Sequence, residues 1–66
     1  MQFTVETEHE VDGRWIAEVT EIPGVMKYGK SREEAIAYAE ALVLRVLAER
    51  IEKGEQPGSF EIRLTY

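Results

Sequence analysis

The stretch EIPGVMKYGKSREEA, from Glu21 to Ala35, decides how the chain is read. Pro23 has no amide donor and Gly24 allows a tight reversal, so a preceding strand ends here. Val25-Met26-Lys27-Tyr28 reads as a short strand, and Gly29 stops it. Ser31 followed by Glu34 fits the capping box S-x-x-E, in which the two side chains satisfy unpaired amides of a helix start. Glu33 and Glu34 also suit the positive end of a helix dipole. Strand end, reversal, short strand and helix start are thus written into one continuous stretch.

Working toward the N-terminus, Phe3, Val5 and Thr7 alternate with Thr4, Glu6, Glu8 and Glu10, the pattern of a half-buried strand. Trp15, Ala17 and Val19 share a face of the next strand. A two-residue Asp12-Gly13 turn would put the apolar sets of these strands on opposite faces. A three-residue loop, Val11-Asp12-Gly13, brings them together and needs a left-handed residue at its third position, where Gly13 stands. The expected register pairs Val5 with Val19, Thr7 with Ala17 and Glu10 with Arg14. Glu6, Glu8, Glu10, Arg14, Ile16 and Glu18 then point away from the core, with Glu6 opposite Glu18.

Working toward the C-terminus, the spacing predicts a helix from about Arg32 to Lys53. Ala35, Ile36, Ala39, Leu42, Val43, Val46, Leu47 and Ile51 form its apolar stripe. Gly54 is a helix stop and Pro57-Gly58 forbids continuation. At about 1.5 Å per residue the helix outreaches a short strand. Its far end, with Leu44, Leu47 and Ile51, is the expected place for a contact between copies. In SFEIRLTY, Phe60, Ile62, Leu64 and Tyr66 alternate with Glu61, Arg63 and Thr65, a strand with one buried face. The order is β-β-β-α-β. The expected fold class is α+β, a single domain with one helix packed on one face of a small mixed sheet. The last strand is reached by a parallel crossover.

Composition narrows the function. A chain of 66 residues buries a modest fraction of its surface, and with no cysteine it has no disulfide to add stability. Self-association is therefore expected. The net charge of −5 does not suit a phosphate backbone, so direct nucleic-acid binding is not expected. No apolar run approaches membrane-spanning length, and the chain reads as cytoplasmic.

Thirteen carboxylates raise the possibility of metal-dependent hydrolysis, but that chemistry needs them converged on one or two ions. The outward acids form a line along a strand instead. His9, the only histidine, reads as a rim residue. Ser31 and Ser59 are explained as cap and turn, and Trp15 sits at core spacing. Neither enzyme, cofactor nor metal is expected.

The segment DGRWIAEVTEIPGVMKYGKSREEAIAYAEALV resembles the HicB antitoxin domain of bacterial and archaeal toxin–antitoxin systems. The resemblance is carried by an ordered set: Gly13, Trp15 and Ala17, then Pro23-Gly24, then Gly29, then Ser31 with Glu34-Ala35. It covers nearly the whole chain. It implies a pared-down RNase H-like fold of the same β-β-β-α-β order. It also implies a non-enzymatic role: binding and blocking a small basic RNA-cleaving toxin of the HicA type. The acidic residues Glu6, Glu8, Glu10 and Glu18, with Tyr28 at the short third strand, are the expected partner-binding set. Many members of that family carry a C-terminal helix-turn-helix or ribbon-helix-helix segment that binds operator DNA. This sequence ends at Tyr66 directly after its last strand, so one domain over residues 1–66 without a DNA-binding extension is expected. Two alternatives stand beside this reading: a self-associating interaction domain without a toxin, and a nuclease remnant that uses a metal.

Overall fold

A computed structural model describes residues 2–55 and 62–66. The elements are β1 (Gln2–His9), β2 (Trp15–Val19), β3 (Met26–Gly29), α1 (Arg32–Glu52) and β4 (Arg63–Thr65). They form a four-stranded mixed sheet in the order β3-β2-β1-β4 with one helix on one face, an α+β fold. β1 and β2 are antiparallel, as are β2 and β3, and β4 runs parallel to β1.

The β1–β2 register is the one that face matching demands. Val5 lies opposite Val19, Thr7 opposite Ala17, and the ladder closes with the Glu10 amide donating to the Arg14 carbonyl at 2.7 Å. The three-residue loop works because Gly13 adopts φ +94°, where a side chain would be strained. Asp12 holds the loop by accepting from the Arg14 amide at 3.1 Å and from its Nε at 2.7 Å.

The helix starts and stops as its flanking residues dictate. Ser31 Oγ accepts from the Glu34 amide at 3.1 Å. Glu34 does not close the box onto Ser31; its carboxylate accepts from the Lys30 amide at 2.9 Å, one residue earlier. At the other end the Gly54 amide donates to the Ile51 carbonyl and the Glu55 amide to that of Arg50, with Gly54 at φ +74°. These two bonds form a Schellman motif, which satisfies carbonyls that the last turn leaves unpaired.

The core lies between α1 and the inner face of the sheet. Phe3, Val5, Ala17 and Val19 come from the strands, and Ala35, Ile36, Ala39, Val43 and Leu47 from the helix. Ile22 and Val25, in and after the β2–β3 turn, complete it. Trp15, Leu42, Val46, Ile62 and Leu64 are half-buried against this cluster. Phe60, expected to share the inner face of the last strand, lies outside the described residues. Tyr66 is exposed, unlike the half-buried Ile62 and Leu64 of its face, and reaches the helix through its hydroxyl, which donates to Glu40 at 2.5 Å. That bond, lost on ionisation, holds the Tyr66 phenol above its ordinary pKa.

Gly29 is the last residue of β3, so the strand ends where the sequence places its stop. It lies opposite Trp15, and its φ is not positive. A side chain is excluded there by the helix: a Cβ on Gly29 would sit 2.5 Å from the Ala35 nitrogen and 2.9 Å from its Cα. The strand and the first helical turn touch backbone to backbone.

Candidate partner-binding face

No element among the described residues covers the outer face of the sheet, so its side chains are set by strand parity alone. The pairing arranges them in rows across three strands. One row is Glu6–Glu18–Met26 and the next is Glu8–Ile16–Tyr28, with Glu10 opposite Arg14 at the hairpin end. Between the rows lies a shallow depression of about 290 Å³ lined by Glu6, Glu8, Ile16, Glu18 and Met26. Carboxylates therefore border an apolar centre. Met26 is 46% and Tyr28 40% exposed, high for large apolar side chains in a strand.

Glu6 and Glu18 are cross-strand partners, a like-charge arrangement that weakens a ladder slightly. Arg14 limits the charge at one end of the face. Its guanidinium is held by Asp12 at 2.7 Å and stacks over the Tyr28 ring at 4.3 Å. The Arg14 amide foremost, then its side chain, holds the Asp12 carboxyl below its ordinary pKa. At the opposite end Glu21 accepts from the Thr4 amide at 2.8 Å, replacing the acceptor that β1 loses where β2 stops at Val19. This bond holds the Glu21 carboxyl below its ordinary pKa.

The expected partner-binding residues do come together. Glu6, Glu8 and Glu18 are exposed on one face with Tyr28, and Glu10 is half-buried at its hairpin end. Ile16, placed outward by the register, proves to be the centre of the face. Met26 was not singled out, although its parity with Tyr28 was the signal for it. His9 is not idle at the rim: its ring stacks on Trp15, its cross-strand partner, with centroids 4.4 Å apart and planes 5° from parallel.

The three residues expected at a contact between copies differ in exposure. Leu47 is 1% exposed and belongs to the core cluster. Leu44 faces solvent at 53% exposure, and Ile51 is half-buried.

Among the described residues no three His, Asp or Glu side chains are placed to hold a metal ion together. Nor is any described helix long and apolar enough to cross a membrane. No family model, curated protein or solved structure matches the chain.

Proposed function

We propose that this chain is a HicB-like antitoxin domain of the cytoplasm, a binding protein with no catalytic step of its own. It neutralises a small basic RNA-cleaving toxin of the HicA type by occupying the surface with which that toxin holds RNA. The observation that carries the reading is the outer sheet face, free of any described element, on which Glu6, Glu8 and Glu18 border Ile16 and Met26. Carboxylates steer a basic partner and exclude acidic ones, while the apolar centre provides area to desolvate. The ordered residues Gly13, Trp15, Ala17, Pro23, Gly24, Gly29, Ser31 and Glu34 supply the resemblance to the HicB domain.

The test is co-expression with any small basic protein whose gene is found beside that of this chain. Relief of growth arrest and co-purification of the pair are expected. Changing Glu6 and Glu18 together to Lys should weaken the complex by about tenfold or more. The circular dichroism of the variant should stay that of the parent chain. Absence of both rescue and complex formation overturns the reading.

A further inference from the structure

β3 is an edge strand of the sheet. The Val19 amide donates to the Val25 carbonyl, and Ala17 and Trp15 face Lys27 and Gly29. By the alternation of an antiparallel ladder, Val25, Lys27 and Gly29 bond toward β2, and the amides and carbonyls of Met26 and Tyr28 point off the sheet. Beside this edge, on the helix side, lies a groove of about 360 Å³ lined by Lys27, Tyr28, Tyr38, Ala41 and Arg45. Tyr38 is 49% exposed. Neither Lys27 nor Arg45 makes an ion pair among the described residues. In a chain of net charge −5, the edge groove is a local basic site.

We propose that the β3 edge accepts an extended acidic peptide segment of another protein as a fifth strand, with its carboxylates held in the groove by Lys27 and Arg45. Strand addition supplies main-chain hydrogen bonds to Met26 and Tyr28, and the side-chain alternation of the incoming strand supplies selectivity. Residues directly opposite Met26 and Tyr28 point to the outer face and meet apolar side chains. The residue between them points to the groove and meets Lys27. The fitting segment therefore alternates apolar and acidic residues. A second copy of this chain fits less well. A two-fold contact brings a patch against itself, and here that sets Lys27 and Arg45 near their own images. Lysine on an edge strand is also a common guard against self-pairing. Nucleic acid fits less well again, because phosphate binding needs more than two cations on an acidic domain. The inference rests on the groove, which lies on the other side of β3 from Glu6 and Glu18, although an added strand would also touch Met26 and Tyr28 of the outer face.

The probe is a capped octapeptide of alternating valine and glutamate, titrated into the whole chain and followed by amide hydrogen exchange and chemical shifts. Binding should slow exchange at Met26 and Tyr28 and shift Ala41 and Arg45. Arg45→Glu should weaken it about tenfold or more, and so should backbone N-methylation of the peptide, which leaves the protein untouched. Replacing the peptide's glutamates with lysines should remove binding. Changing Glu6 and Glu18 together to Gln should leave affinity within a factor of about two, because charge on the far face is screened. Four results overturn the proposal. Peptide binding can prove insensitive both to Arg45→Glu and to N-methylation. Protection can fall at Glu6 and Glu18 instead. Met26 and Tyr28 can become protected with rising protein concentration and no peptide, which assigns the edge to a second copy. A single-stranded oligonucleotide can displace the peptide at the same site.

Discussion

β2 carries two surfaces on one backbone. Its inner side chains, Ala17 and Val19, are fully buried under the helix, whereas Ile16 and Glu18, one residue out of phase, sit on a face that no described element covers. The inner face tolerates little change, because close-packed interiors respond to a single added or lost methyl group. The outer face can vary widely at small cost in stability, because its side chains mostly touch water. Folding and recognition are therefore divided by parity, and residue substitutions should separate them.

The largest effect is expected where sheet and helix meet with no side chain between them. Gly29→Ala places a methyl group 2.5 Å from the Ala35 nitrogen, a backbone atom that cannot rotate away. The first turn of α1 must shift, at a cost on the order of 3 kcal/mol. Urea titration should show the midpoint falling sharply with the slope little changed. A variant as stable as the parent would mean that β3 and α1 are not in contact there, and the division between a rigid inner face and a permissive outer face would fail.

An outer-face substitution should act in the opposite direction. Glu18→Gln removes the like-charge pairing with Glu6 and should stabilise the chain by about 0.3 kcal/mol at low ionic strength. The gain should shrink with added salt, because both side chains are exposed. The same substitution should weaken a basic partner. Stability rising while partner affinity falls would sharpen the contrast between the two faces. A loss of stability comparable to that of Gly29→Ala would erase it.

What was legible in the sequence follows the same division. The β1–β2 register could be read because only a three-residue loop puts both apolar sets on one face and Gly13 where a positive φ is required. The helix could be bounded because Ser31, Glu34 and Gly54 act on backbone groups a few residues away. The outer carboxylates followed from the register, and their grouping with Tyr28 followed from it in turn.

Features that depend on distant parts of the chain were harder to read. Gly29 does end β3, but the need for a glycine there comes from a helix that passes overhead, which the sequence does not show. Ile22 lies between Glu21 and Pro23 in a turn, with no periodicity to mark it as core, yet it is buried. Leu47 was placed at a projecting end because helix length alone does not show which residues of its last turns the core takes up. The basic groove brings Lys27 together with Tyr38 and Arg45 only once the helix lies along the β3 edge.

The smallest effect tests where the inner and outer faces meet, at the end of β2. Glu21 supplies its carboxylate to the Thr4 amide, and that bond depresses its pKa below the ordinary 4.5. The folded chain then binds this proton more weakly than the unfolded chain does. The contribution to stability is complete above the ordinary value and is lost as pH falls through the depressed folded pKa. Glu21→Gln cannot ionise, so the stability difference between parent and variant should be constant from neutral pH down to about 5 and then narrow as acid is added. The carboxylate is exposed, so the difference is small and is best read from paired urea titrations across the acid range. A difference that widens on acidification would mean that protonated Glu21 is the better partner for Thr4. The end of β1 would then be held by a neutral hydrogen bond, and the depression of the Glu21 pKa by the Thr4 amide would be refuted.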